Sequence, residues 1–420
     1  MMKILWFANT PCGASVKLVP NLVVGGWLSS LQQQLEKNVD IELHVCFYWN
    51  KKLESFEIGK TRYYPIFRKN SGSKLERLIN RAIGSNNDQN EVLSLLEVVN
   101  RVNPEVIHIH GSEENFGLIK ARTSIPIVVS IQGILLPYIE KYYSGIPKIT
   151  AILNERLLSK VLLTSAKAVY KNLYTSAKRE EKIFLLNKIY IGRTNWDRRV
   201  SGLLAQEYKY FCVDEIIRPA FYLKNWNKSQ FQDTFQIVTT MSGGLYKGLE
   251  VVVKTAALLV AKKAINFEWI VIGQTEKSDL SILVKKWLKA NYKSLNIKLV
   301  GSKNESEVAQ ILLDSDLFCQ VSHIENSPNS LCEAMLIGMP IIASFAGGTD
   351  SIIENNKEGV LVQDGDCYSF AGAILEMSNN FNRAKELGIN ASIRAHVRHS
   401  PEKIVKELLD AYKEIINLEN

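Results

Sequence analysis

The chain has 420 residues, 46% of them hydrophobic and 22% charged, a balance typical of a soluble globular protein and not of a disordered one. This length is too great for one ordinary core and favours two domains. The net charge of +8 permits an anionic partner such as nucleic acid, anionic lipid or a phosphorylated small molecule, but identifies none. Six scattered cysteines without a CxxC pair argue against a disulfide framework and against a zinc ribbon.

The first apolar run and the longest apolar stretches bear on targeting. The run Ile4–Ala8 is too short for a signal peptide and predicts a buried first strand. The stretches Ile125–Ile139 and Val251–Ala261 are interrupted by Gln132 and Lys254. Neither reaches the roughly 20 residues that a membrane-spanning helix needs. We therefore expect a cytoplasmic protein that is soluble or at most rests on the inner face of a membrane.

Short apolar runs that predict buried strands alternate with amphipathic stretches along the whole chain. In the first half the predicted strands are Ile4–Ala8, Glu42–Tyr48, Val106–His110, Ile127–Ile131, Ala168–Leu173 and Lys188–Gly192, and the helices include Gly26–Lys37 and Val92–Asn103. In the second half the predicted strands are Gln236–Met241, Glu268–Gly273, Ile297–Gly301, Leu317–Val321, Pro340–Ser344 and Gly359–Val362, and the helices include Leu249–Lys263, Leu280–Asn291, Glu305–Asp314 and Ser330–Ile337.

Alternation of this kind gives parallel sheets covered by helices on both faces. We therefore predict an α/β protein of two Rossmann-like doubly wound domains that face each other across a cleft, residues 1–219 and 220–399. The polar stretch from Ala220 to Thr234 marks the break. Within residues 400–420, Ser400 as N-cap and Pro401–Leu418 predict a helix that packs back towards the first domain. Ligands of such sheets bind beyond the carboxyl ends of the strands, so the loops there carry the candidate site.

The loop after the predicted strand Leu317–Val321 leads to two glutamates eight residues apart, Glu325 and Glu333. A helix begins between them, and its free backbone N–H groups could hold an anion. A carboxylate suits a ribose diol, which makes Glu333 a candidate for a nucleoside and Glu325 a candidate for sugar hydroxyls. The alternatives are a capping box from Ser330 to Glu333 and an isolated surface glutamate at position 325.

Two further loops follow predicted strands of the same domain. Gly243 and Gly244 would let backbone amides approach phosphate oxygens, and Lys247 offers a point charge to a diphosphate, although an ordinary turn explains the same residues. The loop Ala346–Asp350 carries a second glycine pair and opens another helix. The three loops together predict a site for a phosphorylated, ribose-bearing ligand.

In order and spacing these residues resemble the donor-site signature of the retaining GT-B glycosyltransferases of family 4. The resemblance covers about residues 236–365, and the matching features are Lys247-Gly248, Glu325-x7-Glu333, Gly338, Pro340 and Gly347-Gly348. It implies a GT-B fold and transfer of a sugar, with retention, from a nucleoside-diphosphate-sugar to an acceptor hydroxyl, as in polysaccharide or glycoconjugate biosynthesis.

The resemblance also implies roles for individual residues. Glu333 would hold the ribose, Lys247 the diphosphate, and Glu325 the sugar. Lys247 and Glu325 are therefore the expected catalytic residues. The expected donor site is completed by the amides of Asn326 and Ser327 and by Gly25, Gly26, Gly243, Gly244 and Gly273.

Three positions depart from the family pattern. Ser242 stands where an arginine often precedes the lysine by five residues, so other groups must meet part of the diphosphate charge. Ser351 replaces a common glutamate, and Gln132 replaces a strand-end histidine and cannot act as a base. Arg193 or Arg218 could supply the missing charge, or could serve only in surface ion pairs.

The first domain offers candidate residues of its own. His108 and His110 alternate on one predicted strand and point the same way, which raises the question of a metal site. No third ligand stands at a fixed spacing, so we predict no metal and place His110 with Gln132, Arg193 and Arg218 on the acceptor side or in the cleft. Gly25-Gly26 precedes the first helix, either as a phosphate loop or as a plain loop.

Between Lys141 and Arg199 basic residues outnumber acidic ones, and Tyr138, Tyr142 and Tyr143 lie nearby. Such a face could rest on anionic lipid headgroups, which would suit a lipid-linked acceptor, or could simply be solvated. The expected partners are therefore the nucleoside-diphosphate-sugar and a saccharide or lipid-linked saccharide acceptor, with possible peripheral membrane contact and no nucleic acid.

The sequence shows no obvious general base or covalent nucleophile, so catalysis would rest on stabilising the leaving diphosphate and on domain closure. Clustered DxD carboxylates are missing, which predicts a metal-independent enzyme with no cofactor beyond the sugar nucleotide. A nicotinamide-dependent oxidoreductase is disfavoured because G-x-G-x-x-G does not follow the first strand. The remaining alternatives are a non-catalytic sugar-nucleotide-binding protein and a GT-B epimerase or phosphorylase.

Overall fold

The computed structural model describes residues 1–18, 26–68, 88–157, 159 and 164–418. The chain divides into two compact units. The first unit contains Met1–Ile139, Lys171–Ile216 and His399–Asn420, and the second contains Glu140–Tyr170 and Ile217–Arg398. Residues Glu140–Tyr170 belong to the second unit, although their place in the chain put them within the predicted domain 1–219.

Eight strands of the described chain form the sheet of the first unit, in the order β3-β4-β2-β1-β5-β6-β7-β8. Their bounds are β1 Met2–Ala8, β2 Ile41–Trp49, β3 Phe56–Ile58, β4 Thr61–Phe67, β5 Val106–His110, β6 Ile127–Ser130, β7 Ile189–Gly192 and β8 Lys209–Cys212. The pairs are parallel except for the edge hairpin of β3 and β4. The central strand β1 is buried from Ile4 to Ala8, as its apolar run predicts.

Among the described residues up to 216, the helices are α1 Ser15–Leu18, α2 Trp27–Leu35, α3 Asp88–Val102, α4 Leu135–Lys141, α5 Lys148–Asn154, α6 Ala166–Leu186 and α7 Asn195–Leu204. The predicted strand Ala168–Leu173 is wrong, because these residues lie inside α6. Val169 and Tyr170 favour a strand over a short window. The longer window is helical, since Ala177, Glu180 and Phe184 repeat at helical spacing and are buried.

The second unit contains a six-stranded parallel sheet among its described residues, in the order β11-β10-β9-β12-β13-β14. Its strands are β9 Phe235–Thr240, β10 Phe267–Ile272, β11 Ile297–Gly301, β12 Leu317–Gln320, β13 Ile341–Phe345 and β14 Val360–Gln363. Numbered within the unit, this is the Rossmann order 3-2-1-4-5-6. The order reverses between β9 and β12, which are neighbours in the sheet, and ligands of such sheets bind at this switch point.

The helices of the second half are α8 Leu249–Lys262, α9 Asp279–Trp287, α10 Glu305–Asp314, α11 Asn329–Ile337, α12 Thr349–Ile352, α13 Cys367–Asn379, α14 Phe381–Arg398 and α15 Pro401–Leu418. Short 3₁₀ helices lie at Cys12–Ala14, Asn115–Arg122, Pro219–Phe221, Leu245–Lys247 and Lys293–Leu295. In the described parts of the chain, each helix is too short or too polar to cross a bilayer.

The C-terminal helix α15 packs in the core of the first unit, as the sequence predicts, and Tyr412 anchors it. Trp6 on β1 donates a hydrogen bond from Nε1 to the Tyr412 hydroxyl at 3.1 Å. That hydroxyl lies 2.5 Å from Nδ1 of His108, and Nε2 of His108 lies 2.5 Å from the Ser130 hydroxyl. Burial, and then the charge of Arg193, lowers the pKa of His108 to about 3, so its ring is neutral and Nδ1 accepts from Tyr412.

This network makes a stability prediction. Tyr412→Phe leaves Trp6 Nε1 and His108 Nδ1 buried without their partner, so we expect the free energy of unfolding to fall by about 1–3 kcal/mol. Chemical denaturation of the purified chain measures the change. The control is Tyr368→Phe, since Tyr368 is 74% exposed and its change should alter stability by less than about 0.5 kcal/mol. Equal effects of the two changes would contradict an anchoring role for Tyr412.

Candidate functional site

A cavity of about 290 Å³ lies in the second unit at the switch point of its sheet. Its lining comes from the end of β9, the end of β12 and the start of α11, and consists of Thr239, Thr240, Met241, Ser242, Lys247, Gln320, Val321, Ser322, Glu325, Ser327, Pro328, Asn329 and Ser330. The cavity therefore brings together two of the three loops that the sequence singled out. Gln320 and Thr240 were missed, and the signal that could have found them is a polar residue at the last position of a buried strand.

Lys247 and Glu325 form an ion pair in the wall of this cavity. The Lys247 Nζ atom lies 2.6 Å from Glu325 Oε1, and the two side chains are 18% and 10% exposed. Burial alone would lower the pKa of Lys247, but the adjacent Glu325 carboxylate and then Tyr246 raise it above its ordinary value. Lys247 is therefore a cation, and the two expected catalytic residues lie together.

The first turn of α11 opens into the same cavity. Asn329 and Ser330 line it, and the N-cap residue Pro328 makes no side-chain cap. The capping box weighed for Ser330 and Glu333 is therefore wrong, because the helix begins before Ser330. N–H groups at such a helix start attract anions. Ser327 also lines the cavity, whereas Asn326 is buried and does not.

Glu333 lies on α11 outside the cavity lining, in an ion pair with Arg218. Both Nε and Nη2 of Arg218 contact Glu333 Oε1, at 2.8 and 2.6 Å. Burial raises the pKa of Glu333 and the Arg218 charge and hydrogen bond oppose this, with the result that the pKa is about 7. The structure thus places Glu325 with Lys247 and Glu333 with Arg218, in two separate pairs.

Glycines shape the cavity mainly by letting backbone segments approach closely. Gly347 has φ +58°, and a Cβ on it would collide with the Glu325 carbonyl, so the turn supports the Glu325 loop from behind. Gly273, at φ +96°, packs in the same way against the Met241 carbonyl. Gly243 is exposed and Gly244 precedes the 3₁₀ turn that carries Lys247.

Behind the cavity, His323 ties its two main loops together. The ring Nε2 of His323 lies 2.6 Å from Glu250 on α8, and Nδ1 lies 3.4 Å from Asp364. Its backbone N–H donates to the Tyr246 carbonyl at 2.8 Å, next to Lys247. Burial alone would lower the pKa of His323, but hydrogen bonds and charges from Glu250 and then Asp364 raise it above 6.5. Sequence reasoning missed this residue because the partners are 73 and 41 positions away.

In the first unit, His110 lies at the end of β5 and is 1% exposed. Neither ring nitrogen has a hydrogen-bond partner among the described residues, and the ring contacts Trp6, Trp27 and His108. Burial, then the charges of His108 and Arg193, hold the pKa of His110 well below its ordinary value. Both ring nitrogens of His108 are engaged by the Tyr412 and Ser130 hydroxyls in the network described above.

The other first-unit candidates lie at the same edge of its sheet. Arg193 follows β7, stacks over the Trp27 ring at 4.1 Å and pairs with Glu215 at 3.2 Å. Both of these charged side chains are almost fully buried. Gln132 follows β6 and is half-buried, and Gly26 is the N-cap of α2. Gly25 and, in the basic run, Lys160 lie outside the described residues.

A family model described as glycosyl transferases group 1 matches residues 224–394, which contain the whole cavity. The amylovoran biosynthesis glycosyltransferase AmsK of Erwinia amylovora is 30% identical over 138 residues, 31% of this chain and 33% of AmsK. The chain spans less than half the length of the first curated relatives that it matches.

Solved structures resemble the chain over nearly its whole length. Sucrose-phosphate synthase from Thermosynechococcus elongatus superimposes with a TM-score of 0.71 at 13% identity, covering 100% of both chains. HepE from Anabaena, in complex with UDP-glucose, gives a TM-score of 0.63 at 15% identity, covering 99% of this chain and 100% of HepE. These likenesses establish the fold as that of the GT-B glycosyltransferases, with two Rossmann-like units.

The His323 network predicts a pH-dependent stability. Because the pKa of His323 is raised in the folded chain, its stabilisation is fully present below pH 6.5 and is lost as the pH rises through the folded-state pKa. We therefore expect His323→Gln to lower the melting temperature most at acidic pH, with the difference from wild type shrinking towards alkaline pH. Thermal unfolding between pH 5.5 and 9 measures it.

The matched control is His396→Gln. His396 is exposed, and its Nδ1 contacts the carbonyl and hydroxyl of Ser392 on its own helix. Its replacement should give a small difference that does not change with pH. A constant difference for His323→Gln would show that its partners do not hold the proton.

Proposed function

We propose that the chain is a retaining, metal-independent glycosyltransferase that moves a sugar from a nucleoside-diphosphate-sugar to an acceptor hydroxyl. The observation that carries the proposal is the cavity at the switch point, where Lys247, Glu325 and the start of α11 converge. The family match over residues 224–394 supports glycosyl transfer as the reaction. HepE, a relative in fold, binds UDP-glucose, and AmsK acts in amylovoran biosynthesis, which supports a sugar-nucleotide donor and a role in polysaccharide assembly.

The proposed chemistry relies on stabilising the leaving group. Lys247 and the N–H groups of the first turn of α11 favour negative charge as the bond between sugar and diphosphate breaks. Glu325 would accept hydrogen bonds from sugar hydroxyls and orient the ring. A departing phosphate oxygen would take the acceptor's proton on the same face of the sugar, which gives retention without a protein base.

The lining of the cavity supports metal independence. Among the described residues that line the cavity, Glu325 is the only carboxylate, and Lys247 neutralises it. A hard divalent cation prefers several oxygen ligands and at least one unpaired carboxylate. We therefore propose that hydrogen-bond donors of the protein, and not a metal ion, hold the diphosphate.

We place the acceptor at the strand ends of the first unit, near His110, Gln132 and Arg193. For a lipid-linked acceptor, the second unit offers an exposed surface on α5, where Ile149 and Leu153 are 74% and 72% exposed next to the exposed Lys148. Apolar side chains flanked by lysine suit an anionic lipid surface. Co-sedimentation with anionic vesicles, compared between wild type and Ile149→Ser/Leu153→Ser, tests this contact.

The donor assignment is tested by thermal shift with UDP-, GDP-, ADP- and TDP-sugars, followed by assay of nucleotide release. Wild type should be stabilised selectively by one base. Lys247→Met removes the charge while keeping the length, and should weaken donor binding at least about tenfold. Lys262→Met, at the exposed end of α8, is the control and should bind as wild type does.

The outcomes separate the alternatives. Selective binding without turnover in the presence of acceptors would identify a sugar-nucleotide-binding protein. Turnover that isomerises the sugar, or that consumes phosphate, would identify an epimerase or a phosphorylase. No stabilisation by any of the four donors would refute the proposed function.

A further inference from the structure

Two polar groups at the floor of the cavity have no assigned role. Gln320 is the last residue of β12 and is 4% exposed, and Thr240 is the last residue of β9. Both line the cavity. The Gln320 Nε2 and the Thr240 Oγ1 atoms are buried and have no hydrogen-bond partner in the described chain.

The orientation of the Gln320 amide is fixed. Its Oε1 accepts a hydrogen bond from the Ser344 backbone N–H at 3.1 Å, so Nε2 is the end left over. The neighbouring Thr239 shows the contrast, since its hydroxyl donates to the Cys319 carbonyl and accepts from Trp269 Nε1. Buried polar groups in folded proteins are nearly always paired, so two unpaired groups lining one cavity point to a ligand.

The charge of the cavity indicates which ligand atom they meet. In the part of the chain that the structure describes, Lys247 is the only basic residue of the lining, and Glu325 neutralises it. Ser242 is exposed and uncharged at the position where the sequence suggested that a cation was missing. Arg218, one of the two arginines considered as a replacement, is paired with Glu333 and does not line the cavity. A diphosphate bound here needs further donors that carry no charge.

We propose that Gln320 Nε2 and Thr240 Oγ1 donate hydrogen bonds to a phosphate oxygen of the donor, in place of an arginine. An amide N–H is a donor only, which matches a phosphate oxygen that only accepts. The start of α11 and Lys247, which both favour an anion, line the same cavity. This assignment rests on the proposed function, since it presumes a nucleoside-diphosphate ligand.

The test uses equilibrium binding of UDP, GDP, ADP and TDP, each compared with its own nucleoside. Gln320→Glu keeps the oxygen that accepts from Ser344 but replaces the donor with a negative charge. It should weaken the preferred diphosphate at least about tenfold and leave the nucleoside unchanged. Thr240→Val, of equal size, should weaken the diphosphate about threefold to tenfold.

Gln230→Glu makes the same chemical change at an exposed position outside the cavity and should bind as wild type does. If Gln320→Glu unfolds at the assay temperature, the binding of Gln320→Met and Thr240→Val tests the assignment instead. Wild-type affinity of these variants for the diphosphate overturns the assignment. A loss of affinity confined to the intact sugar nucleotide also overturns it, because it would place Gln320 and Thr240 at the sugar. Failure of the wild type itself to bind any diphosphate refutes the proposed function instead.

Discussion

The ion pair between Lys247 and Glu325 is the constraint on which the cavity depends. Both side chains are largely buried, and a buried charge is costly unless an opposite charge or hydrogen bonds compensate it. The pairing of β9 with β12 brings the two loops together, so the lysine of one meets the glutamate of the other. Under the proposed function, an incoming diphosphate would compete with Glu325 for Lys247. Its binding would exchange one ionic partner of Lys247 for another and would not fill an open positive pocket.

This exchange requires that the loops stay in place while the pair opens. The His323–Glu250 pair provides that support, because it joins the same two loops from behind and is only 4% and 1% exposed. Gly145 packs so closely on both groups that a Cβ would collide with them. Under the proposed function, the Lys247–Glu325 pair would change partners while the His323–Glu250 pair stays closed. The two pairs differ in position: among the described residues, Lys247 and Glu325 line the cavity, whereas His323 and Glu250 are buried behind it.

The sequence predicts the second unit well and the first less so. The six strands of the second unit lie within one residue of their predicted bounds, because buried parallel strands are mostly apolar. The error at Ala168–Leu173 arose where local β propensity opposed a longer helical pattern. Within the site, Lys247 and Glu325 could be named from loop position and resemblance. His323 could not, since its side-chain partners lie 73 and 41 positions away in the chain. Gln320 offered only the signal of a polar residue at a strand end, and that its Nε2 lacks a partner among the described residues is visible only in the structure.

The proposed chemistry gives the Arg218–Glu333 pair a role as well. Under the proposed function, Glu333 would hold a ribose diol best as a carboxylate, because the ionised group only accepts hydrogen bonds and a single oxygen such as Oε2 can accept two. Burial pushes it towards the neutral acid, with a pKa of about 7, and Arg218 opposes this by contacting Oε1 twice. Oε2 lies outside these contacts. Under the proposed function, Arg218 would serve the donor indirectly by favouring the ionised form of Glu333, and the phosphate would find its donors in the cavity itself.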